Sequence, residues 1–314
     1  MAARLIDCDW PDFGPVALPA HSSLPEMRAR LAAIRAAMAA RGLDRLVIYG
    51  DREHSGNMLW ATGFDPRFEE ALLIVSQDRA VLAAGNECLP YAQISPLVTA
   101  GDIAVVHCPG LSLISQPREE GERLDRVIAR EVPAGSTVGS AGWKYFTAED
   151  VDDPDTALEI PSLIADLLRS HAGRVANATD LFMHPGHGLR CTVTAGEIAR
   201  LEFANHMAAA LRRMVFALRE GMSDFDAVAA AGIGGLPLGC HVTFATGDRA
   251  DQGMSGPTGQ ALRVGSAVSF NICHWGANVC RAGWLARGPD DLPSPAGDYV
   301  AAFAGPYLEA LSVW

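Results

Sequence analysis

The sequence predicts an α/β protein, and three patterns carry that prediction. Short apolar runs rich in β-branched residues, such as residues 45–50 and 71–76, read as buried strands. Other segments repeat their apolar residues at helical spacing, and glycine or proline ends most of them. Because 314 residues exceed a typical single domain, we expect two domains. We place them at residues 1–173 and 174–314, with the boundary near Gly173.

Composition narrows the functional class. A formal net charge of −12 argues against a nucleic-acid-binding protein, since such proteins cluster Lys and Arg. Seven cysteines without a C-x-x-C spacing fit reduced thiols. Charges interrupt residues 1–10, where a secretory signal needs an apolar core, and no run of about 18 apolar residues occurs. We therefore expect a cytoplasmic protein without a membrane span, and we predict no cofactor.

The first domain is expected to be a mixed sheet with flanking helices. After an irregular segment, Ser23 and Pro25 begin a helix that Gly42 ends, and the strand at 45–50 follows. The charged loop 51–57 fits either a solvated loop or a site. Residues 71–76 and 79–85 predict a hairpin. Strands at 102–108 and 136–140 and a helix at 118–131 complete the sheet.

The second domain is expected to start with long helices. The H-x-x-H run His184-Pro-Gly-His187 predicts a surface turn, because Pro and Gly prevent a shared helical face. Thr194 and Glu197 form a capping box for a helix that continues to Glu220. Ser223 caps a second helix. The glycines that follow lack the spacing of a dinucleotide loop, and residues 238–246 and 298–314 predict a strand and a last helix.

Residues 265–287 carry the most informative motif of the chain. Two apolar runs, 267–273 and 279–285, flank Gly276 and predict a hairpin whose inward side chains lie side by side. This hairpin, the Gly63-Phe-Asp-Pro-Arg-Phe-Glu-Glu70 run and the pair Asn86-Glu87 resemble the pita-bread superfamily of creatinase, prolidase, methionine aminopeptidase and aminopeptidase P. The resemblance implies a creatinase-like N-terminal domain followed by a partial pita-bread α+β domain.

In that superfamily the equivalent hairpin carries two aspartates, separated by ten residues, that hold a metal pair. The matching positions here are Asn271 and Ala282, and neither supplies an anionic ligand. We therefore predict no metal site. The Asn and Ala pair is similar to the metal-free creatinase branch, which hydrolyses a C–N bond with His and Glu groups. A soft-ligand set of Cys273, Cys280 and His274 is disfavoured, since strand alternation places Cys273 and His274 on opposite faces.

The resemblance also directs attention to histidines. A catalytic His is expected seventeen residues before Asn271, but that position is Met254. His241 and His274 are the remaining candidates for proton transfer, and a hydrogen-bonded structural role is the alternative for each.

Substrate binding is predicted for Arg67, Phe64 and Asn271. In creatinase-like homodimers an Arg after this Thr-Gly-Phe turn holds a substrate carboxylate in the partner's site, and Arg67 matches it. Its planar fork of donors suits a carboxylate. An internal ion pair with Glu69 or Glu70 is the alternative.

The resemblance implies that the second half of the pita-bread domain, with its further catalytic residues, is missing from this chain. We expect a Xaa-Pro peptidase- or creatinase-like hydrolase of C–N bonds in small peptide-like or amidino substrates, acting as a homodimer. The alternative is an inactive homologue that serves as a binding or assembly protein. Convergence of four residues on one pocket would favour the enzyme, and these are Asn271, His241, His274 and Trp275.

Overall fold

The computed structural model describes residues 16–208, 210–294 and 296–313, and its chain divides into two compact units. Ala20–Glu197 form one unit, called here the N-terminal unit, and the C-terminal unit contains Ile198 onward. The predicted α/β class is confirmed. Most of the predicted irregular segment at the amino terminus, with Cys8, lies outside the described residues.

A six-stranded mixed sheet forms the centre of the N-terminal unit, in the order β4-β3-β2-β1-β5-β6. Its strands are β1 (Arg45–Gly50), β2 (Ala71–Val75), β3 (Ala80–Ala84), β4 (Ala104–His107), β5 (Thr137–Ala141) and β6 (Arg174–Asn177). The predicted hairpin is confirmed as β2 and β3, with Leu73 opposite Leu82. β1 runs antiparallel to β2 and parallel to β5, so the sheet is mixed as expected.

Helices cover both faces of this sheet. They are α1 (Leu24–Ala40), α2 (Gly56–Thr62), α3 (Cys88–Tyr91), α4 (Pro96–Thr99), α5 (Leu124–Glu131), α6 (Ser162–His171) and α7 (Asp180–Met183). One apolar cluster includes Met27 and Ile34 of α1, and a second includes Val127 of α5 and Leu168 of α6. Two layers of helix around one sheet bury the apolar strands on both sides.

The ends of α1 follow the predicted chemistry. The Ser23 side chain accepts a hydrogen bond from the Glu26 amide at 3.3 Å, so it satisfies one of the free donors of the first turn. Gly42 adopts φ +63°, a left-handed conformation that glycine adopts without steric cost. Both predicted boundaries of this helix are therefore confirmed.

The predicted domain boundary near Gly173 lies immediately before β6. β6 pairs in parallel with β5, with Val175 beside Val138, so the sheet continues past that position. The two compact units instead divide at Glu197 and Ile198. The difference arises because β6, Arg-Val-Ala-Asn, contains a single β-branched residue and therefore gives no strand pattern in the sequence.

A three-stranded antiparallel sheet, ordered β7-β8-β9, forms the centre of the C-terminal unit. The elements that complete the chain are α8 (Ala195–Ala208), α9 (Ala210–Ala217), α10 (Asp224–Ala230), β7 (Thr243–Thr246), β8 (Ala267–His274), β9 (Ala277–Trp284) and α11 (Tyr299–Val313). Phe244, Phe270 and Ile272 pack with Met214 of α9 and Ala227 of α10. The central hairpin is thus confirmed, and helices pack against one of its faces.

Helix ends in this part of the chain also follow the sequence. The Thr194 amide donates to the Glu197 carboxylate at 2.8 Å, and the Glu197 amide donates to the Thr194 hydroxyl at 3.1 Å, which confirms the capping box. Ser223 caps α10 as predicted. α9 ends at Ala217, three residues before the predicted end at Glu220.

Within the described part of the chain, no helix combines the length and the apolar character needed to cross a membrane.

Candidate functional site

Asn271 and Ala282 lie on one face of the β8–β9 hairpin. Asn271 faces Cys280 across the strands, and Ser269 faces Ala282. Asn271 and Ala282 are therefore diagonal neighbours, about 7–8 Å apart in a regular antiparallel pair. Eight positions of the two strands share this side, and we call the six nearest the turn the hairpin face: Ser269, Asn271, Cys273, Asn278, Cys280 and Ala282.

The hairpin face does not fit the metal pair that the resemblance to the pita-bread superfamily implies there. None of its six positions is a carboxylate or an imidazole, and the two diagonal positions offer only one neutral amide. A divalent ion bridged by two ligands needs anionic oxygens. Among the residues that the structure describes, no three His, Cys, Asp or Glu side chains are placed to hold a metal ion. No step of the chemistry is therefore assigned to a metal pair.

The Asn271 side chain has an unused hydrogen-bonding group. Its amide nitrogen lies 3.6 Å from the Cys240 sulfur, while its side-chain oxygen is buried and accepts no hydrogen bond from the described residues. An unpaired buried acceptor costs about 1–3 kcal/mol. An N–H donor of a ligand would remove that cost.

His241 follows Cys240 in the chain. Its Nε2 is 3.2 Å from the backbone oxygen of Met254. Since a carbonyl oxygen only accepts, Nε2 donates, and Nδ1 is the basic nitrogen of the neutral ring. The sequence matched Met254 to a missing catalytic His, so the structure brings a different imidazole to the same segment.

Met254 itself has an unusual backbone. Its φ is +48°, in the left-handed region, and its side chain is 82% exposed. Only one other non-glycine residue in the described part of the chain has a positive φ, and that residue is Arg67. Strained backbone concentrates at functional sites, so both positions singled out by the resemblance also stand out in the structure.

His274 does not join Asn271 and His241. It lies on the opposite side of β8, with Phe270 and Ile272, and is 1% exposed. Neither of its ring nitrogens has a hydrogen-bond partner among the described residues. The structure therefore separates the two predicted catalytic histidines: His241 is exposed, and His274 is buried in the packed side of the sheet.

The segment that carries Arg67, residues 64–70, is called the Arg67 loop. Arg67 has a φ of +56°, and its backbone amide donates to the Asp65 carboxylate at 3.1 Å. Its guanidinium Nε lies 3.6 Å from the same carboxylate, and its central carbon lies 5.0 Å from the centre of the Tyr91 ring. The Arg67 side chain is nevertheless 45% exposed, so part of its donor fork faces solvent.

The alternative partners considered for Arg67 have other roles. Glu69 is 2% exposed, and its carboxylate accepts from the Cys88 amide at 2.9 Å and the Glu87 amide at 3.3 Å, at the start of α3. Glu70 accepts from the Tyr49 hydroxyl at 2.6 Å. An ion pair of Arg67 with Glu69 or Glu70 is therefore not observed, and Asp65 takes that place.

Phe64 packs against Tyr91, the residue that contacts the Arg67 guanidinium. It is fully buried in the apolar core, and its ring centre lies 5.7 Å from that of Tyr91. A direct contact with substrate, as predicted for Phe64, needs an exposed ring. The structure instead gives it a packing role beneath Tyr91.

The charged loop after β1 bonds to itself. The Asp51 carboxylate accepts from the Glu53 amide at 2.9 Å, the His54 amide at 2.7 Å and the His54 ring at 3.0 Å. Burial alone would raise the pKa of Asp51, but these hydrogen bonds hold that pKa below its ordinary value. The His54 ring stacks on Trp143, with centres 4.7 Å apart.

The H-x-x-H run forms the predicted surface turn. The His184 and His187 rings stack with centres 3.7 Å apart, and the Gly186 amide donates to the His184 ring at 3.1 Å. Face-to-face rings cannot both aim a lone pair at one ion. The pair is a feature of the turn.

Sequence reasoning missed three supporting residues: Asp65, Tyr91 and Cys240. Asp65 carried a signal, since Asp-Pro pairs initiate turns and an Asp two residues before a strained position bonds its amide. Tyr91 lies 24 residues after Arg67, and Cys240 lies 31 before Asn271, so only the fold brings each pair together.

Solved structures share this arrangement of helices and strands. A prolidase from Pyrococcus furiosus is 16% identical with a TM-score of 0.54, over 79% of this chain and 64% of that one. An X-Pro aminopeptidase from Thermotoga maritima is 14% identical with a TM-score of 0.56, over 81% and 64%. The N-terminal domain of the FACT complex subunit SPT16 from Cicer arietinum (chickpea) is 12% identical with a TM-score of 0.52, over 83% and 67%.

The fold is therefore the one seen in the solved prolidase, Xaa-Pro dipeptidase and X-Pro aminopeptidase structures, as the resemblance in the sequence predicted. The chain spans less than two thirds of the length of the prolidase and aminopeptidase structures. No family model and no curated protein matches the sequence.

Proposed function

We propose that the protein binds a small peptide-like or amidino substrate and hydrolyses its C–N bond without a metal pair. The observation that carries this proposal is the buried side-chain oxygen of Asn271 at the hairpin face, which accepts no hydrogen bond from the described residues. The Asn271 amide nitrogen contacts Cys240, and the exposed imidazole of His241 belongs to the next residue of the chain. Asparagine stands where the fold family has a metal-binding aspartate. A polar site remains there after the metal ligands are gone.

The chemistry follows from the two side chains. Nδ1 of His241 takes a proton from water, the water oxygen attacks the carbonyl or amidine carbon, and the C–N bond breaks. The protonated imidazole returns that proton to the leaving nitrogen, so protons balance over the cycle. The Asn271 oxygen accepts a hydrogen bond from an N–H group of the substrate and so holds the C–N bond in position.

We also propose that the protein is a homodimer in which Arg67 of one copy pairs with the carboxylate of a substrate held by the other. The exposed part of the Arg67 guanidinium and its strained backbone support this role. Short peptides with a free carboxyl end and creatine-like amidines both satisfy these groups.

The test is a hydrolysis panel on the full chain, with Xaa-Pro dipeptides and creatine-like amidines, each with and without a chelator. Elemental analysis of the same preparation accompanies it. We expect cleavage that the chelator leaves unchanged and a preparation without stoichiometric metal. Cleavage that stops with the chelator and returns with added divalent metal would overturn the proposal.

A second candidate function is binding or assembly without catalysis. It is favoured by the absence of any carboxylate from the six positions of the hairpin face, since hydrolysis usually employs a second acid or base. A domain of a FACT complex subunit also shares the fold. No cleavage of any substrate in the panel, with or without metal, would favour this function.

A further inference from the structure

The Arg67 loop holds one exposed cation with more contacts than an ordinary surface arginine needs. A surface ion pair contributes little to stability, because two long side chains lose freedom in forming it. Here the partner carboxylate, Asp65, is 5% exposed and contacts both the backbone and the side chain of Arg67. An exposed arginine does not need a buried carboxylate as its partner, so the position of Asp65 requires an explanation.

The backbone of Arg67 is the strained part of this arrangement. A left-handed conformation at a residue with a side chain costs about 1–2 kcal/mol. The Asp65 carboxylate accepts from the amide of the strained residue at 3.1 Å, and the Glu69 amide donates to the Pro66 oxygen at 2.9 Å. The Cys88 sulfur lies 3.0 Å from that same oxygen. Several contacts thus fix the direction in which the Arg67 side chain leaves the loop.

The end of the side chain is fixed as well. The Tyr91 ring lies under the guanidinium at 5.0 Å, and the Tyr91 hydroxyl donates to the second oxygen of Asp65 at 3.3 Å. Tyr91 in turn packs on the buried ring of Phe64. The two groups that touch the guanidinium are therefore themselves held in place by the core.

We propose that Asp65 and Tyr91 are positioning residues that hold the Arg67 guanidinium in a fixed orientation to bind the carboxylate of a ligand. This inference rests on the proposed role of Arg67 and deepens it. Asp65 engages the Nε edge and Tyr91 the flat face, and the Arg67 side chain stays 45% exposed. A fork held in advance loses less freedom when it binds, so the gain appears as affinity for a carboxylate.

The test compares two probes that differ only in that group: the dipeptide Ala-Pro and its carboxy-terminal amide. Calorimetry on the full chain gives the ratio of their affinities. We expect wild type to favour the free carboxylate about tenfold, the size of one charge-assisted contact. Arg67→Ala should remove the preference, and Arg67→Lys should reduce it to about threefold because a lysine lacks the fork.

The positioning variants are Asp65→Asn, Tyr91→Phe and Tyr91→Leu. Asp65→Asn retains an acceptor for the strained amide, and Tyr91→Phe retains the ring. We expect Asp65→Asn and Tyr91→Leu to lower the ratio about threefold and Tyr91→Phe to lower it less. Asp102→Asn is the matched control, since Asp102 pairs at 2.8 Å with the exposed Arg28 of the same unit. It should leave the ratio unchanged.

A lost fold lowers the binding of both probes, whereas lost positioning changes their ratio. An unchanged ratio in Asp65→Asn and Tyr91→Leu would overturn the inference, as would a wild-type protein that does not favour the carboxylate. If wild type favours the carboxylate and the variants lose that preference while no substrate is cleaved, the inference stands and hydrolysis is the proposal that fails.

Discussion

The Arg67 loop and the hairpin face differ in whether their buried polar groups have hydrogen-bond partners. In the Arg67 loop, the carboxylates of Asp65 and Glu69 are buried and hydrogen-bonded. Among the described residues, neither the buried Asn271 oxygen at the hairpin face nor either ring nitrogen of His274 behind it has a hydrogen-bond partner. One region is complete within its own unit. The other has hydrogen-bonding capacity that a ligand or a partner can fill.

Thiol reactivity gives the largest contrast between the two regions. Cys88 lies under the Arg67 loop, where burial and then the Glu69 carboxylate raise the pKa of its thiol, whereas Cys280 on the hairpin face is exposed. Because the thiolate is the nucleophile, we expect iodoacetamide to modify Cys280 at least about 100-fold faster. Mass spectrometry of the native protein over time measures both rates. Equal rates would contradict the closed structure of the Arg67 loop.

Removing a buried carboxylate should damage the complete region strongly. Glu69→Ala leaves the Cys88 and Glu87 amides without their acceptor, so we expect a loss of about 2–3 kcal/mol in the free energy of unfolding. Denaturant unfolding followed by circular dichroism measures it. Glu149→Ala, at an exposed position, is the control and should change stability by less than about 0.5 kcal/mol. A small change in the free energy of unfolding for Glu69→Ala would mean that contacts other than those of Glu69 stabilise the Arg67 loop.

The reverse result is expected behind the hairpin face. The two ring nitrogens of His274 have no partner in the part of the chain that the structure describes. His274→Leu replaces this ring by an apolar group of similar size, so we expect the free energy of unfolding to rise by about 1 kcal/mol. Thermal unfolding of the full chain checks this. A clear loss of stability would show that His274 has a hydrogen-bond partner. The two regions would then differ less in how fully their buried polar groups are hydrogen-bonded.

The smallest effect concerns acid stability next to the Arg67 loop. Because the folded pKa of Asp51 is lowered, its contribution is present above the unfolded pKa of about 4 and is lost as the pH falls through the folded value. Asp51→Asn should therefore lower stability at pH 7 by less than about 1 kcal/mol and leave it nearly unchanged at the most acid pH. Unfolding curves from pH 7 to about pH 3 measure the difference. The prediction would be contradicted if the stability of the variant and that of the wild type changed in parallel with pH.

The sequence predicted most of the fold because local chemistry specifies it. Ser23, Thr194 and Ser223 each cap the helix expected of them, and Gly276 adopts a positive φ between the predicted strands. The strand β6 was missed, since its residues Arg-Val-Ala-Asn include only one β-branched side chain. Its pairing with β5 is a contact between distant parts of the chain.

The candidate site was less predictable, because it too depends on contacts between distant parts of the chain. The identity of Asn271 and Ala282 was enough to predict the lack of anionic ligands. Strand alternation also separated Cys273 from His274, and the burial pattern of β8 agrees. The contact of His241 with Met254 and that of Tyr91 with Arg67 depend on how distant segments fold together, which spacing does not encode. The pairing of Arg67 with Asp65 was within reach, because Asp-Pro marks a turn.

The most direct test of the central claim is the turnover of His241→Gln in the presence of a chelator. His206→Gln is the matched control, since His206 is an exposed histidine of α8. We predict that wild type and His206→Gln cleave the best substrate of the panel at the same rate with and without chelator. His241→Gln should be slower by about 100-fold, the size of one general-base contribution. Turnover that the chelator abolishes and a divalent metal restores, or that is unchanged in His241→Gln, would contradict metal-free catalysis by His241.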